Sequence, residues 1–312
     1  MSTRSSDNPR SEARDSAIAG ACAGLVSSIV TCPLDVIKTR LQVQTGIRSE
    51  IGASTSSVQG VTHIIRHIWH DDGFRGFYRG LGPTMVGYLP TWAIYFSVYD
   101  AGKTFFRTHL TTDGKETFLT HIASAMTAGA ASTTCTSPLW VVKTRSMLQT
   151  SKEPEELRYR NILDAFAKIY RQEGIGGFYK GLFPSLLGVS HVVVQFPLYE
   201  HFKRLAMDYQ QTEALSPGMI LLCSGGSKML ASIATYPHEV LRTRLQMVPE
   251  RAASGAQSNR YTGFVQAIQL IARQEGIHGF YKGMGVNLVR TVPNSGLTIL
   301  TYEVIMHYFN TH

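Results

Sequence analysis

Pro33-Leu34-Asp35-Val36-Ile37-Lys38-Thr39-Arg40 closes an apolar stretch rich in small residues. The octet returns as Pro138-Leu139-Trp140-Val141-Val142-Lys143-Thr144-Arg145 and as Pro237-His238-Glu239-Val240-Leu241-Arg242-Thr243-Arg244. The copies lie roughly a hundred residues apart, so the chain reads as an internal repeat before anything else. A proline inside a helix removes one backbone hydrogen bond and bends the helix. The residue two after the proline and the base five after it stand three apart, on one helix face. Three bent helices that each end in an acid and a base can close a ring of ion pairs.

A second motif follows each octet in register. It runs Asp72-Gly73 to Phe77-Tyr78-Arg79-Gly80, Glu173-Gly174 to Phe178-Tyr179-Lys180-Gly181, and Glu275-Gly276 to Phe280-Tyr281-Lys282-Gly283. The two motifs, three times over, resemble the mitochondrial carrier family across nearly the whole chain. That resemblance implies an all-α membrane protein. Six transmembrane helices would form three tandem repeats with pseudo-threefold symmetry, plus short helices on the matrix side. The expected division is a disordered tail over 1–15 and repeats over 16–110, 111–212 and 213–312.

Bulk composition alone suggests a basic soluble protein, with a net charge of +8 over 312 residues. The segments say otherwise. Ser16 to Leu34, Leu81 to Tyr99, Thr117 to Val142 and Gly181 to Tyr199 hold no Asp, Glu, Lys or Arg. Each is long enough to cross a bilayer core of ~30 Å at about 1.5 Å per residue. Lys228 and Arg290 interrupt the fifth and sixth spans, which points to a water-filled interior. Gly20 with Gly24, and Ala125 with Gly129, make small-residue faces for close helix approach. Cys22, Cys32, Cys135 and Cys223 form no CxxC and read as packing residues. Met1 to Asp15 lacks the apolar core of a signal peptide and the acid-poor amphipathicity of a transit peptide.

Short amphipathic helices should follow the octets, with Val61, Ile64, Ile65 and Ile68 at helical spacing. Each aromatic-base-Gly triplet then opens an even-numbered span. Free N–H groups and a base there suit a lipid phosphate, and the resemblance implies cardiolipin. The alternative is plain punctuation by glycine. Lys and Arg cluster on the octet side, which the positive-inside rule assigns to the matrix. Both termini would then face the intermembrane space of the mitochondrial inner membrane.

The resemblance also implies two gates. At the matrix end it pairs Asp35 with Lys143 and Glu239 with Lys38. Trp140 replaces an acid and leaves Arg242 without its carboxylate. Trp140 either packs or takes a cation–π contact from Arg242. Gln42 and Gln246 stand as braces, with Met147 in the third place. At the cytoplasmic end Asp100 would pair with Lys203 and Glu303 with Lys103. Met306 replaces a base, so Glu200 lacks a partner. Two pairs per ring should open more readily than three.

A transporter site near the midplane fits alternating access. The family's contact points fall on Gly87, on Leu187 and Gly188, and on Arg290. An intramembrane guanidinium is usually functional, and its planar fork matches phosphate. Asn287 and Asn294 lie within a turn of Arg290. Gly87 and Gly188 would leave room for flat rings, and His191 follows Gly188 by three. Lys228 either reaches into the cavity or snorkels.

Trp140 resembles a branch of the family that carries nucleotides and nucleotide-like cofactors: NAD, pyrimidine nucleotides, FAD or folate. Gly87-Tyr88-Leu89-Pro90-Thr91-Trp92 with Ile94-Tyr95-Phe96-Ser97-Val98-Tyr99, Pro184-Ser185-Leu186-Leu187-Gly188, and Tyr236-Pro237-His238-Glu239 with Asn287-Leu288-Val289-Arg290-Thr291 look most like the NAD-carrying members. That implies NAD+ as substrate, exchanged for nucleotides such as AMP, by a monomer with no resident cofactor, metal or nucleic-acid partner. Enzyme readings are weak. Gly174-x-Gly176 and Gly283-x-Gly285 lack a third glycine and a βαβ setting, and Gly225-Gly226-Ser227-Lys228 lacks P-loop spacing. A soluble helical scaffold would use much shorter repeats of about 20–50 residues.

Overall fold

The computed structural model describes residues 9–43, 57–110, 118–151, 154, 158–210, 216–247, 250–251, 257–258 and 263–311. Helices α1 (Pro9–Val43), α2 (Ser57–Gly76) and α3 (Leu81–Leu110) form the first repeat. The second holds α4 (Phe118–Leu148), α5 (Ile162–Glu173), α6 (Leu182–Val189) and α7 (His191–Gln210). The third holds α8 (Pro217–Leu245), α9 (Phe264–Gln274) and α10 (Met284–Thr311). A two-residue antiparallel pair, Glu250–Arg251 against Gln257–Ser258, is the described β-structure. The expected tail needs correction, because α1 is already helical from Pro9. Residues 1–8 lie outside the described set.

The spans are α1, α3, α4, the pair α6–α7 that meets at Ser190, α8 and α10. Cys22–Val43, Ile175–Tyr209 and Gly218–Leu245 are long and apolar enough to cross a membrane by length and composition. The remaining spans, α3, α4 and α10, have 30, 31 and 28 residues, long enough to cross a bilayer core. Leu89, Trp92, Phe96, Leu221 and Leu222 lie exposed on span helices, an apolar skin suited to lipid.

Octet prolines Pro33, Pro138 and Pro237 sit inside α1, α4 and α8, as the bend argument requires. The short helices then dock beneath them. Ile64 and Ile68 bury against Cys32, Val36 and Ile37. Ile65, placed on the same apolar face by spacing, is instead exposed. Cys135 is exposed too, so the packing role fits only the buried Cys32 and Cys223. Of the small-residue faces, a side chain at Gly129 would meet Val189 at 2.9 Å, while Gly20 and Gly24 open onto space.

What closes the three repeats into a ring is the last residue of each octet. Arg145 and Arg244 grip Glu173 and Glu275 of their own repeats with two hydrogen bonds each, at 2.6–2.9 Å. Arg40 holds Asp72 at 2.9 Å. Each guanidinium then turns its Nε to a backbone carbonyl of the next repeat. Arg40 reaches Met147, Arg145 reaches Gln246 and Arg244 returns to Gln42, at 2.9–3.2 Å. The octet threonines follow the same circuit. Thr39 meets the Met147 sulfur, Thr144 donates to Gln246 and Thr243 to Gln42.

The glycines of the second motif complete this seam. Gly181 has φ +77°, open to glycine but strained for other residues. A Cβ there would also lie 3.0 Å from the Arg242 carbonyl oxygen. The even span thus begins against the next repeat's octet, and only a bare backbone fits.

The clamp should set acid stability. Burial raises the Glu173 carboxyl, but hydrogen bonds and charge from Arg145 and Lys180 outweigh it and hold it below the ordinary 4.5. Glu275 is lowered in the same way by Arg244 and Lys282. A depressed carboxyl contributes stability above its unfolded value and loses it as pH falls through the folded one. Thermal unfolding of the purified protein should therefore weaken below pH 4.5. Glu173→Gln should destabilise by about 3–5 kcal/mol at neutral pH, because Arg145 would be left buried without a carboxylate. It should also shallow the acid limb. An unchanged melting curve at both pH values would remove the clamp from the stability argument.

Candidate functional site

The octet end is the closed end. Lys38 of α1 pairs with Glu239 of α8 and also donates to Asn287 Oδ1 of α10 at 2.8 Å. Asp35 does not take Lys143. It pairs with Arg290 of α10 at 2.5 Å. The longer, forked side chain arrives from α10, which packs along α1, and captures the carboxylate first. Lys143 instead rests over the Trp140 ring, 4.8 Å from its centroid. The cation on that ring is therefore Lys143 rather than Arg242, and among the described residues Arg242 makes no ion pair.

Trp140 is held from two sides. Its Nε1 donates to Thr136 Oγ1 at 3.1 Å, one turn back. Tyr88 of α3 meets it edge-on at 6.1 Å. The braces act through hydroxyls. Gln42 donates to the Tyr236 hydroxyl at 3.0 Å and accepts from Thr243 at 2.7 Å. Gln246 accepts from Thr144 at 2.8 Å.

The opposite end stands open. Among the described residues no ion pair joins Asp100 to Lys203, and Asp100, Lys203 and Glu303 are exposed. Glu200, expected to lack a partner, meets Arg204 one turn on at 3.6 Å. An exposed pair of this kind contributes little.

Between the two ends lies a cavity of about 310 Å³. Gly188, His191, Lys228, Asn287, Arg290 and Asn294 all line it, and Gly87 and Leu187 do not. Lys228 therefore reaches the cavity wall. Arg290 keeps its Nε buried and without a hydrogen-bond partner. The amides are already engaged: Asn287 by Lys38, and Asn294 by Ser27 Oγ at 2.8 Å. His191 Nδ1 stands 3.1 Å from Thr235 Oγ1.

Gly188 does not leave ring space, because a Cβ there would meet the His238 ring at 2.6 Å. His238 and Tyr236 also line the cavity, although the sequence marked them only as part of a family-like stretch and not as site residues. A signal for His238 was present. It stands second in its octet, where the other copies carry Leu34 and Leu139.

This cavity can bind an anion. It offers a guanidinium with an unused donor, a second cation in Lys228, and imidazole, hydroxyl and amide groups around them. Among the described residues no cluster of His, Cys, Asp or Glu is set to hold a metal.

The family model described as mitochondrial carrier protein matches residues 10–110, 114–210 and 213–312. A mitochondrial nicotinamide adenine dinucleotide transporter of Arabidopsis thaliana is 43% identical, over 93% of this chain and 78% of its own. A mitochondrial nicotinamide adenine dinucleotide transporter of Saccharomyces cerevisiae is 42% identical, over 95% of this chain and 77% of its own. The mitochondrial pyrimidine nucleotide transporter of the same yeast is 35% identical, over 93% of this chain and 84% of its own.

Trp140→Glu places a carboxylate beside Lys143 and within the circuit that Arg242 leaves incomplete. Purified Trp140→Glu protein should gain about 1 kcal/mol in thermal stability, the scale of one partly hydrated pair. Equal or lower stability would show that the aromatic contacts with Lys143 and Tyr88 hold the closed end as well as an ion pair does.

Proposed function

The chain belongs to the mitochondrial carrier family, and from that premise we propose that it moves NAD+ across the inner membrane in exchange for an AMP-type nucleotide. Its relatives place it in a mitochondrial membrane, as a transporter. The observation that carries the substrate reading is Arg290, a guanidinium on the cavity wall with a buried, unused Nε. A pyrophosphate offers that fork the oxygens it matches, and Lys228 faces the same space. Identity of 42–43% to NAD transporters, against 35% to the pyrimidine nucleotide transporter, favours the dinucleotide.

In the proposed cycle the octet end faces the matrix, and both termini face the intermembrane space. Substrate enters from the open end and settles on Arg290. The matrix gate of Lys38–Glu239, the Lys143–Trp140 contact and the glutamine braces then parts, while Asp100, Lys103, Glu200, Lys203 and Glu303 draw together behind it. The protein works as a monomer with its pathway through its own centre.

In this reading cardiolipin binds at a second cavity, of about 610 Å³, where α3 and α5 begin. Arg79, Arg158 and Arg160 line it beside the start of the even span. Helix N-termini and guanidinium groups together suit a lipid phosphate.

Uptake into liposomes tests the reading. Reconstituted protein should take up NAD+ saturably, with strong competition from AMP, weaker competition from NADH and poor competition from UTP or CTP. Arg290→Ala should abolish uptake and Arg290→Lys should retain little, because a point charge cannot replace a bidentate fork. Rapid UTP exchange with no response to NAD+ would move the assignment to pyrimidine nucleotides.

A further inference from the structure

Three polar residues of α10 are bonded to α1. Asn294 accepts from Ser27, Arg290 pairs with Asp35, and Asn287 accepts from Lys38. Spaced three and four residues apart, they share one face of α10 and form a single seam. The ion pair differs from its neighbours. It joins two full charges, and each side chain keeps some contact with solvent, 27% for Arg290 and 16% for Asp35. Arg290 also lines the central cavity. Asp35 is the first acid of the closed ring, yet it leaves Lys143 to an aromatic face.

We infer that Asp35 is a specificity-determining residue: a built-in competitor that occupies Arg290 while the cavity is empty and must be displaced by the incoming phosphate. The inference rests on the reading of Arg290 as a phosphate ligand. A bare guanidinium in a hydrated cavity would hold any small anion. With Asp35 in place, an anion that offers only one contact exchanges like for like and gains little. A ligand that brings two phosphates, or a ring that packs elsewhere on the wall, supplies the difference. This is discrimination by a resident rival rather than by fit alone. Displacement also has a direction. Lys143 lies within the field of both Asp35 and Arg290. A released Asp35 therefore finds a cation at the gate, which links occupancy of the cavity to the closed ring.

The test uses inorganic pyrophosphate, which carries no base, and full-length purified protein in detergent. By calorimetry, Asp35→Asn should bind pyrophosphate about tenfold more tightly than the unmodified protein, the scale of one charge-assisted hydrogen bond. Asp35→Glu, which keeps the charge, should bind as weakly as the unmodified protein. The gain should vanish in Asp35→Asn combined with Arg290→Gln. Unchanged or weaker binding by Asp35→Asn overturns the inference, as does a gain that survives loss of Arg290. Infrared difference spectra of unmodified protein labelled with carbon-13 aspartate serve where the variants do not fold. Pyrophosphate should shift a carboxylate band, and an unshifted spectrum overturns the inference. The two readings fail differently. If Arg290→Gln alone leaves pyrophosphate binding intact, the phosphate reading of Arg290 is wrong. If it abolishes binding and Asp35→Asn brings no gain, only the competitor role falls.

Discussion

Arg40, Arg145 and Arg244 each hold two repeats at once, and the remaining architecture depends on that double grip. One end of each guanidinium fixes the short helix of its own repeat through Asp72, Glu173 or Glu275. The Nε fixes the following repeat through a backbone carbonyl. Arg145 and Arg244 are almost wholly buried, so each must be fully paired. A carboxylate satisfies the charge and a carbonyl satisfies the remaining donor. Because the third repeat returns to the first, the contacts form a closed circuit. The cavity is lined from the second and third repeats, by α6, α7, α8 and α10.

The gate above this circuit is lighter. Its one conventional pair is Lys38–Glu239, and both Asp35 and Lys143 are engaged outside the pattern that three matched octets would give. A cation on an aromatic face contributes ~0.5–2 kcal/mol, similar to a hydrated ion pair. Trp140 therefore gives Lys143 a partial substitute for an acid, and one without charge. The cavity wall carries Lys228 and Arg290 against Glu239, a surplus of positive charge that favours anionic cargo over neutral or cationic cargo.

The fold was largely legible in the sequence. Octets, glycines and uncharged segments repeat in register, and each maps to an element: a bent odd span, a turn with positive φ, an even span. Pairing was less legible. Spacing tells which face of a helix a residue occupies, but not which of two cations reaches a carboxylate first. Asp35 was in range of both Lys143 and Arg290, and side-chain length with helix packing decided it. Gly188 fails for a related reason. A missing side chain marks space in the sequence, and only the packed structure shows His238 filling it. The arginine clamp was overlooked although its signal was there. The clamp residues stand 32, 28 and 31 positions apart in the three repeats, a near-constant separation that two gate-centred motifs do not require.

That separation also bears on how the closed end opens. The carboxylate contacts of Arg40, Arg145 and Arg244 lie within single repeats, so they survive if the repeats move as rigid bodies. The contacts between repeats are of another kind: Nε to a carbonyl, a threonine hydroxyl to a brace, a glycine backbone against an octet. Each is a hydrogen bond to a neutral acceptor or a packing contact. A bond of this sort is worth about 0.5–1.5 kcal/mol net, somewhat more with a charged donor, and water entering the seam can replace it. A broken buried ion pair would cost about 3–5 kcal/mol. The chain has placed its expensive contacts where movement does not touch them and its replaceable ones where movement must occur. The Lys38–Glu239 and Asp35–Arg290 pairs are the exceptions, and both lie at the gate.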